Sequence, residues 1–268
     1  MLTFYPQSGA ILLQRLGLKI FVSWLLSIAT AFCDTPENEI KTLRTKADKG
    51  DPNAQIELAA KLAEGEGVKK SPSQAFKWLL KAAQSGSAHA QFLLAECYIE
   101  GRGTKANEIS AAQWLRKSAE GNFLPAQVKF GILLQDGRGI GKDEATAVTW
   151  FRRAAATSYS PALYQLGIAY DNGRGVPKDE KEALNWIQDA ANRGFASAQN
   201  ALGNRYHTGQ NVPKDLVQAY KWWLLAGAQG NEDARSSYSW LEIKLTPQQR
   251  AEGQQLAREF KPKNGNSP

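Results

Sequence analysis

Two histidines, His89 and His207, and two cysteines, Cys33 and Cys97, are the residues of this 268-residue chain best suited to metal or nucleophilic chemistry. A metal site needs several such ligands converging, and neither histidine has a Cys or carboxylate at ligand spacing, so both read as surface residues. Cys97 is a single thiol beside Leu and Ala and reads as a small apolar residue. No nucleophile–His–carboxylate set can be assembled. The Gly-x-Gly pairs at Gly65, Gly101, Gly137 and Gly173 follow helical patterns rather than strands, so they are turns and not phosphate cradles. Basic loop residues recur at Arg102, Arg138 and Arg174, and at Lys70, Lys142, Lys178 and Lys214. They suit either a solvated loop or a phosphate or nucleic-acid stripe, although no RNA- or DNA-binding motif accompanies them. The reading is therefore of no catalytic residue, no metal site and no cofactor.

What these residues share is a period. Stepping by 36 from Ala162 meets Ala54, Ala90, Ala126, Ala198 and Ala234, and the same step from Trp186 meets Trp78, Trp114, Trp150 and Trp222. Such a repeat predicts a solenoid of helix pairs, each burying its apolar side against its neighbours. In the first helix of a pair (A), Ala162, Leu166 and Tyr170 form a stripe on one face. The column Ala59, Ala95, Gly131, Gly167, Gly203 and Ser239 accepts only small residues, which marks a close approach of two backbones.

Helix A should end at Gly65, Gly101, Gly137, Gly173 and Gly209, where a left-handed residue closes it. Two residues on, Gly67, Gly103, Gly139 and Gly175 give way to Asn211, the commonest non-Gly occupant of positive φ. The second helix (B) should start at Ser71, Asn107, Asp143, Asp179 and Asp215, all favoured N-caps. Gln74, Glu182 and Gln218 stand three residues later, as in a capping box. Helix B then buries Ala183, Trp186, Ile187, Ala190 and Ala191. The five periodic tryptophans read as core, and Trp150, with two neighbours to lose, should matter more to stability than Trp222 near the end.

Read together, A-x3-L-G-x2-Y-x2-G-x-G-V-P-K-D-x3-A-x2-W-x3-A-A resembles the Sel1-like repeat, a relative of the tetratricopeptide repeat with a longer inter-helix loop. The likeness runs from about Thr35 to Trp240, and the copy from Ala162 to Trp186 fits throughout; the first copy departs with Ala59 and Leu62 for Gly and Tyr. The resemblance implies an all-α, right-handed α/α superhelical solenoid acting mainly as a protein–protein adaptor. Its pattern carries a Lys in the loop, which favours the solvated reading of the basic loops. Some cysteine-rich members are linked to penicillin binding or β-lactam hydrolysis, but they carry a cysteine pair in each repeat, absent here. A peptidoglycan or glycan role through the tryptophans is the other alternative, and their periodic core register argues against it.

The formal net charge of +7 falls to about +5 without Arg15 and Lys19. These two precede Ile20–Phe32, an apolar run of 13 residues with no acid and with small residues near its end. That is the pattern of a secretory signal, and it is short for a transmembrane span. Cleavage after Ala31 or after Cys33 and retention as an anchor all fit. The expected organisation is a signal over 1–33 and a repeat domain over 34–260. Within the latter fall an N-terminal cap helix (35–48), five full repeats (50–227), and a half repeat with a C-terminal cap helix (230–260); 261–268 would be a disordered tail.

The expected product is a monomeric periplasmic or secreted adaptor, with no stable membrane span after cleavage and no nucleic-acid partner. Its protein or peptide partner should meet the side of helix A away from the core stripe. There the columns read Ile56, Phe92, Val128, Tyr164, Asn200 and Ala60, Glu96, Ile132, Ile168, Asn204. Phe92, Val128, Ile132, Tyr164 and Ile168 make them more apolar than a solvated face, either because successive A helices touch or because the face binds.

Overall fold

The computed structural model describes residues 36–263, so the expected signal over 1–33 and the last five residues lie outside it. Among the described residues there are thirteen helices and no strand. The B-type helices are α1 (Pro36–Asp48), α3 (Pro72–Gln84), α5 (Glu108–Glu120), α7 (Glu144–Ala155), α9 (Glu180–Asn192) and α11 (Leu216–Ala228). The A-type helices are α2 (Pro52–Glu64), α4 (Ala88–Glu100), α6 (Leu124–Asp136), α8 (Ser160–Asn172), α10 (Ala196–Thr208) and α12 (Glu232–Glu242), and α13 (Pro247–Arg258) closes the chain. The helices fall into two compact units. One holds α1, α2 and α3 with the loop Arg102–Thr104; the other holds α4 to α13. In each, consecutive helices pack on one another as far as α12, the arrangement expected of a repeat solenoid, and α13 turns back onto α11.

The A–B loop shows why the glycines recur. All five helix-ending glycines are left-handed, with φ between 67° and 85°, and Asn211 takes φ 60° at its predicted place. The second glycine meets a further constraint. A Cβ on Gly175 would lie 2.1 Å from the Glu144 carbonyl oxygen, and one on Gly139 would lie 2.1 Å from that of Glu108. The loop of one repeat thus rests on the first turn of the preceding B helix. A third left-handed column, Gly50, Gly86, Asn122, Ser158, Gly194 and Gly230, lies in the B–A turns.

The N-caps need two corrections. Asn107, Asp143, Asp179 and Asp215 accept backbone N–H groups as expected, but Ser71 makes no side-chain cap bond. Nor do Gln74, Glu182 and Gln218 complete capping boxes, and the reason is a competitor. The N–H such a box would engage is already donated to helix A: Ser71 to Leu62 O, Asp179 to Tyr170 O and Asp215 to Tyr206 O, at 2.7, 3.0 and 2.9 Å. Where that competitor is missing, at Thr246, the reciprocal box with Gln249 forms.

The small column does face a close approach. Added Cβ atoms at Gly131, Gly167 and Gly203 would strike Phe151, Ile187 and Trp223 of the same repeat's B helix at 2.4–2.6 Å. The tryptophan reading is amended. Trp78, Trp114, Trp150 and Trp186 are half-buried, and only Trp222 is buried, at 5% exposure. Lys81, Lys117 and Arg153, three residues on, cover the rings of Trp78, Trp114 and Trp150 at 4.1, 4.2 and 5.3 Å. A cation over the π-face suits an indole packed on the core from one side only. Trp222 is closed over by Phe260, ring centroids 5.5 Å apart. The order inferred from sequence therefore reverses. Trp222→Ala is expected to cost about 1 kcal/mol more than Trp150→Ala, because more area is lost to water or cavity. Urea unfolding of both variants measures it, and a larger loss for Trp150→Ala counts against this account.

The array ends differently on its two sides. α1 docks through Ile40, Leu43 and Ala47, buried beneath a polar outer surface. α13 packs on α11, and Gly253 lets it approach so closely that a Cβ there would lie 2.7 Å from the Tyr220 ring. Beyond it, the Lys263 N–H donates to Asn192 O at 2.9 Å, so the first residues of the expected tail lie against the end of α9.

Candidate functional site

The A helices place Phe92 and Val128 in one column and Ile132 and Ile168 in the next, with Tyr164 in the first. Val128 is buried at 8% exposure; the other four are half-buried. Part of that burial comes from residues at the starts of the following A helices. Phe92 meets Phe123 with ring centroids 5.3 Å apart, and Tyr164 meets Phe195 at 5.6 Å. Phe123, Tyr159 and Phe195 occupy N-cap positions and make no side-chain cap bond. At the same place Asp51, Ser87 and Asn231 do cap their helices. At Phe123 and Phe195 the chain thus gives up a cap of about 1 kcal/mol for aromatic contact between neighbours, of similar worth. Burial raises the Tyr164 phenol above its ordinary pKa, against the opposing pull of the Arg205 charge.

Polar groups punctuate this apolar face. Glu96 pairs with Lys129 at 2.7 Å. Gln135, one turn from Ile132, is buried with its Nε2 unpartnered. Asp171, one turn from Ile168, pairs at 2.9 Å with Arg205, which is only 4% exposed. In the fifth repeat the columns turn to Asn200, Asn204 and His207.

The columns do not end there. One more step of 36 reaches Ser236, Trp240 and Ile243 on and just beyond α12, and Trp240 and Ile243 are 46% and 81% exposed. The period held that signal, since Asn204 leads to Trp240 and His207 to Ile243. His207, read as a plain surface residue, is half-buried between Trp223 and Trp240, 5.4 Å from each ring centroid. His89 is exposed and stacks on Phe123.

Three of the basic loop residues are paired locally. Arg138 reaches Glu108 at 2.6 Å, Lys142 reaches Glu144 at 2.8 Å, and Lys178 reaches Glu180 at 2.7 Å. These pairs hold Glu144 and Glu180 below the usual carboxylate range. Among the described residues no group of His, Cys, Asp and Glu could hold a metal ion, and no helix is long and apolar enough to cross a membrane.

A family model described as the Sel1 repeat matches residues 52–87, 88–123, 124–156, 160–195 and 196–231. The chain belongs to the Sel1 repeat family. Among solved structures, a Sel1 repeat protein from Oxalobacter formigenes is 30% identical over 94% of this chain and 97% of that one, with a TM-score of 0.68. A protective antigen of uropathogenic Escherichia coli displaying an SLR fold is 26% identical, with TM-score 0.55 and coverage of 82% and 56%. The immunity protein Pa5087 from Pseudomonas aeruginosa shares the fold at 22% identity and TM-score 0.53, over 78% of this chain and 79% of that one. No curated protein matches the sequence. Sel1 repeats generally serve as non-catalytic scaffolds for protein–protein interaction, and the all-α array of helix pairs is theirs.

Proposed function

We propose that this Sel1 repeat protein is an exported, monomeric, non-enzymatic adaptor that binds a protein or peptide on its A-helix face. One observation carries the binding surface. Phe92, Ile132, Tyr164 and Ile168 remain half-exposed on the same side of three successive A helices, whereas the core column Leu94, Phe130 and Leu166 of those helices is buried. Apolar side chains kept partly in water along one face, between polar groups, suit a partner's side chains. The pairing of Arg138, Lys142 and Lys178 with neighbouring carboxylates favours a protein over a nucleic acid. Export is supported by Arg15 and Lys19 ahead of the apolar run Ile20–Phe32.

A single experiment in the native host tests both parts. A photo-crosslinking residue replaces Ile168 in the full chain, and fractions are analysed by mass spectrometry. The expected adduct joins one recurrent protein to a chain shortened to begin between Phe32 and Asp34, outside the cytoplasm. Ile132→Asp should abolish it in a chain whose melting curve still shows a folded protein. An adduct indifferent to Ile132→Asp sinks the binding surface, and a full-length chain in the soluble cytoplasm sinks export.

A further inference from the structure

The A-helix face changes character along its length. It is apolar over α4, α6 and α8, then turns to amides, hydroxyls and His207 on α10 and α12, and ends at the exposed Trp240. Here α10, α11 and α12 border an open, shallow cup of about 420 Å³ lined by Asn204, His207, Trp223, Ser236, Ser237 and Trp240.

The polar groups of the cup carry no negative charge, and its amide and hydroxyls can donate as well as accept. Trp223 Nε1 donates to Asn204 Oδ1 at 3.0 Å, which engages that oxygen and leaves the amide NH2 group to offer. Ser236 and Ser237 add hydroxyls. Beside the rim, Lys244 Nζ stands 3.6 Å from the centre of the Trp240 ring, held over its π-face. No carboxylate lines the cup. Asp171 is taken up by Arg205, and Glu232 by Arg235 at 2.8 Å. Asp233 lies about 10 Å along α12 from Trp240, seven residues at helical rise.

We propose that the cup receives the carboxylate of an acidic residue in the partner, so that the ligand of this face is a peptide with an apolar stretch beside an Asp or Glu. This rests on the reading of the A-helix face as a peptide-binding surface. The apolar stretch lies along Ile132, Tyr164 and Ile168. The carboxylate accepts hydrogen bonds from the Asn204 amide and the serine hydroxyls, and pairs with Lys244. Charge-assisted hydrogen bonds are the stronger kind, and the indoles of Trp223 and Trp240 thin the water around them. A sugar would also stack on Trp240, but Lys244 occupies a face of that indole.

The test selects peptides from a random library of about 12 residues, displayed on phage, against the full chain and against Lys244→Glu, Trp240→Ala and Ile168→Asp variants. Lys244 and Trp240 are exposed, and melting curves confirm that their variants fold. Enriched peptides should carry Asp or Glu beside an apolar stretch. A fluorescein-labelled synthetic copy should lose about tenfold or more in affinity on Lys244→Glu, or when its own acid is changed to the amide. Added salt should weaken it. Enrichment without an excess of acids, or affinity unchanged by Lys244→Glu, overturns the carboxylate cup. If Ile168→Asp still abolishes binding in that case, the apolar surface stands; indifference to Ile168→Asp removes the surface itself. A library yielding no peptide overturns both. Quenching of Trp240 by an N-acetylglucosamine tetramer, without peptide binding, would give the cup to a glycan and overturn the proposal.

Discussion

Gly175→Ala is expected to lower the unfolding free energy by about 2–5 kcal/mol, from a strained left-handed backbone and a steric collision together. At φ 71° any L-residue pays for its Cβ, and here that Cβ would also sit 2.1 Å from the Glu144 carbonyl oxygen. The obstruction is backbone in the first turn of α7 and has no rotamer with which to retreat. Gly173→Ala is the control. It has φ 67°, but its Cβ would meet Lys178 at 3.4 Å, an ordinary contact, so it should cost only about 1–2 kcal/mol. Urea unfolding followed by far-UV circular dichroism measures both. Equal losses would mean that the loop does not rest on the preceding helix.

Asp171→Ala is expected to cost about 3–5 kcal/mol, because it strands a buried cation. Arg205 is 4% exposed and leans on Asp171 at 2.9 Å. Its column elsewhere in the array holds Lys61, Cys97, Leu133 and Ala169, so an apolar residue has room there. Arg205→Leu should therefore stay within about 1 kcal/mol of the parent, and Asp171→Ala in that background should lose most of its effect. Measured by the same unfolding curves, a double variant as unstable as Asp171→Ala alone would refute the pairing.

How far the sequence discloses this molecule depends on whether a cause is local. A left-handed residue needs Gly or Asn wherever the chain turns, so Gly173, Gly175 and Asn211 announce their geometry without tertiary context. The N-caps at Asn107, Asp143, Asp179 and Asp215 are local in the same way. Glu182 and Gln218 mislead because the N–H they would accept is claimed by a carbonyl nine residues earlier, across the loop. Trp222 and Trp150 look alike in the period, yet only Trp222 is closed over by Phe260, which the chain brings back from beyond the repeats. The Arg205–Asp171 pair joins α10 to α8, and neither column hints at the other. The cup needed only one further step of the period to reach Trp240. Its chemistry, however, lies in how Trp223 turns the Asn204 amide, which spacing does not record.

One tie between neighbouring helices bears on how such chains change length. Gln55 Nε2 donates to Ala47 O, Gln127 to Ala119 O and Gln199 to Ala191 O, at 2.9, 3.2 and 3.2 Å. Arg235 Nε makes the same reach to Gly227 O at 3.0 Å. Each donor secures a carbonyl eight residues back, at the end of the helix before it, and the pattern returns every 36 residues. In the fourth repeat Leu163 replaces the amide, and the helix it would have secured, α7, is 12 residues long where its counterparts have 13. Recombination that removes or duplicates a whole period joins an end to a donor of the same kind. A break out of phase leaves a buried carbonyl without its donor and turns apolar columns into water. Gene rearrangement can thus alter the number of copies in single steps, each preserving the bonding between the repeats that remain.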